Sequence, residues 1–284
     1  MPAQILDGKA LAATLKDEVS RDIAAFTQAA GITPMMVVVR AGEDPASVSY
    51  ANAIAKTCKA YGVNFELHAL PETCSQAELV ALVAKLSADP KVNGIMIQEP
   101  MPKAIDSAAV IAALSPAKDV DGVHPANAGM LLQGEGAYFA PATPSGGMEI
   151  LRRYNVPIKG KHAVVVGRSN IVGKPMALLL LHQHATVTIC HSRTVALADI
   201  VRQADIVAAA VGKARMITAD MLKPGAVVID FGVNFEDGKM VGDVDFEPAK
   251  EVAGMITPVP GGTGPMTNVM LMKNVLEAAR RQHK

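Results

Sequence analysis

The sequence predicts an α/β protein of two domains, each built on a parallel sheet. Short apolar runs rich in Val and Ile alternate with longer stretches of helical character, the βαβα pattern of parallel sheets. Several of the runs are nearly continuous hydrophobics, as expected of strands covered on both faces. The 284 residues, half of them apolar, suffice for one large domain or two of ordinary size.

The candidate strands are Met35–Arg40, Asn64–Leu70, Gly94–Gln98, His162–Val166, Thr186–Cys190, Asp205–Ala210 and Ala226–Asp230. Helix candidates between and beyond them are Leu11–Ala29, Ser75–Leu86, Lys174–Leu181 and Pro265–Arg281. The helix over Pro45–Tyr61 has clear punctuation. Asp44 can cap it, Pro45 suits its first position, and Gly62 suits its stop. Across Ser115–Gly147 the pattern loosens, because Pro116, Pro125, Gly129, Gly134, Gly136, Pro141, Pro144, Gly146 and Gly147 crowd together. A domain junction is expected there. The expected boundaries are 1–120 with 265–284 for one domain, 140–264 for the other, and 121–139 for the junction.

Formal net charge is zero, from 27 basic and 27 acidic residues without a block of like charge. That removes the global electrostatic case for nucleic acid or an anionic membrane. Cys58, Cys74 and Cys190 are far apart and form no CxxC pair, so free thiols in a reducing compartment are expected. The first eighteen residues carry Asp7, Lys9, Lys16 and Asp17, which is not the apolar core of a signal peptide. No apolar run is long enough to span a bilayer, and a cytoplasmic location is the default expectation. His182 and His184 lie between a helix and a strand with no third ligand evident, so no metal site is expected.

The run from His162 through Gly167, Arg168, Ser169 and Gly173 to Lys174-Pro175 reads as strand, glycine turn and helix. Such a turn brings backbone N–H groups at a helix N-terminus up to a pyrophosphate. Gly167 and Gly173 are six apart, so the GxGxxG fingerprint is unmet. On spacing alone, a structural turn and a nucleotide site are equally good readings, and the flanking α/β pattern tilts toward the nucleotide. The next strand ends in Ser192 and Arg193 where an acidic residue would favour a free 2′-hydroxyl. Together with Arg168, these lean toward NADP.

Four further segments stand in order along the chain: Asp44-Pro-Ala-Ser-Val-Ser-Tyr50, Gly94-Ile-Met-Ile-Gln98-Glu-Pro-Met-Pro102, Lys118-Asp-Val-Asp121-Gly122 and Thr257-Pro-Val-Pro-Gly-Gly-Thr-Gly-Pro-Met-Thr267. With the glycine turn, they resemble the bifunctional methylenetetrahydrofolate dehydrogenase/cyclohydrolase family over essentially the whole chain. The resemblance implies a folate-binding catalytic domain, a Rossmann-like NADP-binding domain, a cleft between them and a homodimer. It implies that Tyr50 packs along the pterin and benzoyl portion, Gln98 faces the one-carbon unit, and Asp121 holds the pterin ring. Pro260, Gly261, Gly262, Gly264 and Pro265 would border both ligands. Gly167, Arg168, Ser169, Gly173, Ser192, Arg193 and Val233 would meet the dinucleotide.

One position departs from the family pattern. A lysine is expected four residues after the tyrosine, and this chain has Ile54, a substrate-site position by the same resemblance. Lys56 is no substitute, because a residue four along a helix lies about 40° from Tyr50 whereas one six along lies about 240° away. Hydride departure from the methylene carbon moves no proton and mostly requires alignment. Hydrolysis of the resulting methenyl cation needs protons shuttled, which isoleucine cannot do. The expectation is therefore a dehydrogenase with weak or absent cyclohydrolase. The alternatives are a fully bifunctional enzyme with another proton carrier, and a non-catalytic folate or nucleotide sensor.

Overall fold

A computed structural model describes residues 2–283. The first half of the chain runs β1 (Gln4–Ile5), α1 (Gly8–Ala30), β2 (Met35–Ala41), α2 (Pro45–Tyr61), β3 (Asn64–Leu70), α3 (Gln76–Ala88), β4 (Gly94–Ile97), α4 (Ser107–Ala112) and α5 (Pro125–Gln133). The second half runs α6 (Ala142–Arg153), β5 (His162–Val166), α7 (Gly173–His182), β6 (Thr186–Cys190), α8 (Leu197–Val201), β7 (Ile206–Ala209) and β8 (Val227–Asp230). It closes with β9 (Asn234–Glu236), β10 (Lys239–Val241), α9 (Phe246–Lys250), β11 (Met255–Ile256) and α10 (Thr263–Gln282). None of the described helices is long and apolar enough to cross a membrane.

These elements form two compact units. One comprises Leu15–Ala142 with the chain from Asn268 onward, and the other the chain up to Thr14 with Thr143–Thr267. The division differs from the expected one in assigning the first fourteen residues to the second unit. The reason is pairing: β1 lies parallel to β11, Gln4 opposite Met255 and Ile5 opposite Ile256. Two residues are too few to show a period, so the sequence carried no signal for either strand.

In the first unit, β3, β2 and β4 form a parallel sheet with β2 at its centre. The central strand is apolar on both faces, as its sequence requires. Val37, Val39 and Ala41 join Ile95 and Ile97 in a buried cluster with Leu79, Val83 and Leu86 of α3 and Val110 of α4. The opposite face is covered by α2, whose Cys58 Sγ lies 3.8 Å from Met36 Sδ. The α2 side chains Ser47, Ala51, Ile54, Cys58 and Tyr61 form one buried stripe of alternating four- and three-residue spacing. Both expected caps are present: the Asp44 carboxylate accepts from Ser47 N at 2.9 Å, and Gly62 adopts φ 76°, ψ 31°.

In the second unit, the strand order is β1-β11-β8-β7-β5-β6, all parallel. After β5 the chain adds β6 on one side and then crosses to β7 on the other, so the order reverses beside the C-terminal end of β5. Ligands of doubly wound sheets bind at such reversals.

The loosened stretch Ser115–Gly147 is more ordered than expected, since it holds α5 and the start of α6. Pro144 is tolerated in the first turn of α6, where its missing N–H has no helical partner to lose. Gly146 and Gly147 are packing positions. A Cβ on Gly146 would come within 2.9 Å of Met266 Cβ, and one on Gly147 within 2.4 Å of the Phe231 ring.

Candidate active site

In the first unit, the predicted residues gather at the C-terminal ends of β2 and β4. Gln98 directly follows β4 and continues its ladder, its N–H donating to Val39 O at 2.9 Å. Its side chain is 5% exposed and its Nε2 donates to Ser47 O of α2 at 3.1 Å. Its Oε1 is buried without a partner among the described residues. A native structure rarely leaves such an acceptor idle, and a ligand donor is one of the few explanations.

The segment Lys118–Gly122 divides its labour residue by residue. Lys118 is buried and its Nζ donates to Asp89 O, 2.5 Å away, beyond the C-terminal end of α3. Asp119 is wholly buried and its carboxylate accepts from Val123 N, His124 N and Asn127 Nδ2 at 2.7–3.1 Å. Both are structural. Asp119 also pairs with Ile95 of β4, and Val120 packs so tightly on Gly94 that a Cβ there would meet its methyl at 2.6 Å. This fastens the segment alongside β4.

Asp121, the remaining acid, has no donor on its carboxylate among the described residues. It keeps part of its surface open, yet the protein packed around it, with Asp119 adding like charge, pushes its carboxyl up to about 6. Gly122 turns the chain away at φ +71°, with the backbone at Phe139 O and Pro141 N closing off room for a Cβ. Tyr50 on α2 is near enough to feel Asp121. Burial, reinforced by that carboxylate, pushes the phenol up to about 12, so it stays neutral at ordinary pH.

Ile54 does not join these residues at a surface. It is wholly buried in the α2 stripe, whereas Tyr50 is 40% exposed and Lys56 points to solvent. The helix turns position 54 into the layer between α2 and the sheet.

In the second unit, Gly167 follows β5 with φ +135°, and a Cβ there would lie 2.1 Å from Ala210 O, just beyond β7. Gly173 opens α7, and a Cβ on it would lie 2.3 Å from Gly167 O. The six-residue spacing therefore packs one glycine on the other at the reversal of strand order. Ser169 Oγ accepts from Val172 N and Gly173 N at 3.1 and 3.3 Å, capping the entry to α7. Arg168, Ser192, Arg193 and Val233 are exposed. The turn bearing Ser192 and Arg193 is held by His191 N donating to Thr194 Oγ1 at 2.8 Å and Arg193 N donating to His191 Nδ1 at 3.1 Å.

The segment Pro260–Pro265 is part loop and part helix. Pro260–Gly262 precede α10, whereas Gly264 and Pro265 lie in its first turn. Gly261 O accepts from Lys9 N, and Gly262 has no space for a Cβ against Pro258 O. Thr263 Oγ1 donates to Asp230 O at 2.8 Å.

Sequence reasoning missed the two buried aspartates that organise this end of the sheet. Asp230, at the end of β8, accepts from Gly232, Asp243 and Val244 N–H groups. Burial pushes its carboxyl up to about 6 against the pull of those donors. Asp243 is wholly buried and accepts from three consecutive N–H groups, Val211, Gly212 and Lys213, and from Asn234 Nδ2. It thereby fixes the loops after β7 and β8. The only signal was Gly232 and Gly242, where a Cβ would collide with Asp243 and Asp230. The third omission is Arg40, 8% exposed near the end of β2, whose Nε has no partner.

Known proteins share this arrangement. Residues 6–121 match the tetrahydrofolate dehydrogenase/cyclohydrolase catalytic domain, and residues 141–283 match the NAD(P)-binding domain of the same family. The chain belongs to this family. A bifunctional protein FolD of Roseiflexus sp. (strain RS-1) is 58% identical over 283 residues, covering 99% of this chain and 98% of that one. The bifunctional FolD of Campylobacter jejuni, a solved structure, superposes with a TM-score of 0.96 at 42% identity, covering 98% of this chain and 99% of that one. The Trypanosoma brucei dehydrogenase-cyclohydrolase, solved with NADP and an inhibitor, gives 0.93 at 36% identity, covering 99% and 98%.

The raised Asp121 carboxyl has a signed consequence for stability. Its folded value of about 6 exceeds the ordinary 3.8, so the contribution to stability is present below about pH 4 and lost as pH rises through 6. Asp121→Asn should therefore stabilise the protein at pH 7 by roughly 1–3 kcal/mol, with the gain fading by pH 4.5. Thermal unfolding of both proteins at the two pH values checks this, and an unchanged or lowered Tm at pH 7 contradicts it.

Proposed function

We propose that this chain oxidises 5,10-methylenetetrahydrofolate to 5,10-methenyltetrahydrofolate, with NADP+ as hydride acceptor. The observation that carries the reading is the pair of unfilled acceptors in the first unit, buried Gln98 Oε1 and the Asp121 carboxylate, beside the neutral phenol of Tyr50. A reduced pterin carries N–H donors that the Asp121 carboxylate can take, which leaves Gln98 Oε1 for a donor near the one-carbon unit. Asp121→Asn, stabilising at neutral pH, would cost tenfold or more in folate affinity, about 1.5–3 kcal/mol for a charge-assisted hydrogen bond.

NADP+, when bound, supplies the carbon that receives the hydride. The second unit fits it through features of its own. Gly167 and Gly173 keep the strand-end turn free of side chains, α7 turns its N-terminus toward that end, and Ser192, Arg193 and Arg168 stand exposed. Arg168 and Arg193 are the groups we assign to the 2′-phosphate. The preference for NADP over NAD is therefore expected to fall at least about tenfold in Arg168→Ala. Measuring kcat/KM with both cofactors checks this, and equal losses for the two would remove Arg168 from the site.

Cyclohydrolase activity is proposed to be weak. Ile54 has no proton to give or take, and Tyr50, raised to about 12, is a poor carrier near neutrality. The competing reading is full bifunctionality, favoured by the names of close relatives. Ile54→Lys separates the two. Under our reading it raises hydrolysis of methenyltetrahydrofolate by about tenfold or more while dehydrogenase turnover changes little. Burial lowers the pKa of the new amine, which suits proton transfer, and also lowers Tm. A variant that folds and hydrolyses no faster than wild type contradicts the role given to position 54.

A further inference from the structure

Two side chains in the layer between α2 and the three-stranded sheet carry hydrogen-bonding capacity that no protein group uses. Gln98 Oε1 is an acceptor without a donor, and Arg40 Nε is a donor without an acceptor. No carboxylate pairs with Arg40 among the described residues, although it is only 8% exposed. Of the guanidinium atoms, Nε is the one shut off from solvent without a partner, and a buried donor left idle is costly to keep.

The two lie together by register. Val39 of β2 pairs with Ile97 of β4, and Gln98 N donates to Val39 O, so Arg40 and Gln98 follow side by side on neighbouring strands. Val37, Val39, Ala41, Ile95 and Ile97 fill the opposite face, and alternation turns Arg40 and Gln98 toward α2. That side is fixed independently, by Met36 against Cys58 and by Gln98 Nε2 on Ser47 O. Ile54 belongs to the same layer, in the stripe between Ser47 and Cys58.

The complementary needs select the chemistry of the occupant. A carboxylate would satisfy Arg40 but set a lone pair against Gln98 Oε1, and an ammonium would do the reverse. One water satisfies both, accepting from Arg40 Nε–H and donating to Gln98 Oε1. We propose that Arg40 and Gln98 hold the water that attacks the methenyl carbon, with Arg40 as a positioning residue. The inference rests on the folate reading above.

The reaction balances without another reagent. The water oxygen bonds to the methenyl carbon, the C=N electron pair returns to nitrogen, and one proton leaves the oxygen for solvent. The bond from that carbon to N5 then breaks, N5 keeps the pair and takes a proton, and the hydroxyl proton departs as C=O forms. Methenyl cation and water become 10-formyltetrahydrofolate and one proton. An isoleucine side chain has no basic atom and a guanidinium is a donor without an acceptor, so solvent hydroxide takes the first proton, aided by the Arg40 donor on the water. Hydrolysis through this site is slow and first order in hydroxide.

The test measures methenyltetrahydrofolate hydrolysis, corrected for the spontaneous rate, from pH 6 to 8 in wild type, Arg40→Met and Arg40→Lys, alongside dehydrogenase kcat and Tm. Expected are a wild-type rate rising about tenfold per pH unit, a loss of about tenfold or more in Arg40→Met with dehydrogenase kcat nearly unchanged, and partial recovery in Arg40→Lys. The proposal is overturned if wild type shows no enzyme-dependent hydrolysis or a pH-independent rate. Arg40→Met within about twofold of wild type, or losing both activities equally, overturns it as well. Absence of dehydrogenase turnover in wild type would instead refute the folate reading. In that case a high-resolution crystal structure tests the subsite alone, by an ordered water bonded to both side chains or its lack.

Discussion

A parallel strand covered on both faces can hold polar chemistry only where it ends, and this protein is organised around that constraint. Within β2, β4, β5, β7 and β8 nearly every side chain is buried and apolar. The candidate site residues sit at or just beyond C-terminal strand ends: Arg40 on β2, Gln98 after β4, Gly167 after β5, Ser192 and Arg193 after β6, Asp230 on β8. In the second unit the same geometry leaves the strand-end loops without a ladder to fix them. Asp230 and Asp243 supply the missing order by gathering backbone N–H groups from those loops, and Gly232 and Gly242 leave the room they need.

Much of this was legible in the sequence, for reasons that can be named. Met35–Arg40 could be read as a buried parallel strand because continuous apolar runs have few other uses, and α2 because Asp44, Pro45 and Gly62 each do a distinct job at its ends. The glycine turn was legible as strand, turn and helix, and its unusual spacing became intelligible once Gly173 was seen to pack on Gly167 O. Other features had no local signal. The strands β1 and β11 exist because two distant dipeptides meet, and glycines inside α6 serve neighbours far along the chain. Asp119 and Asp121, identical in type and two residues apart, were separable only by counting donors. Three reach one carboxylate and none the other.

In the proposed reading, Arg40 and Ile54 are the residues on which the chemistry turns. At the end of an apolar run, an arginine reads as the place where a strand meets solvent, and only its burial shows otherwise. Ile54 puts a group incapable of proton transfer into the layer where Arg40 and Gln98 leave a donor and an acceptor open. Under the proposed reading, the combination leaves hydride transfer, which moves no proton, unimpaired, and withholds what rapid hydrolysis requires, a group that titrates near neutrality. It predicts an enzyme whose two family reactions have come apart in rate.

The most direct measurement of that claim follows wild-type protein turning over methylenetetrahydrofolate with NADP+ at slightly acidic pH, where spontaneous hydrolysis is slow. Methenyltetrahydrofolate, 10-formyltetrahydrofolate and NADPH are quantified through the time course. The account predicts that methenyltetrahydrofolate accumulates nearly mole for mole with NADPH while the formyl product lags far behind. Formyl product appearing in step with NADPH, with no build-up of the methenyl compound, would contradict it.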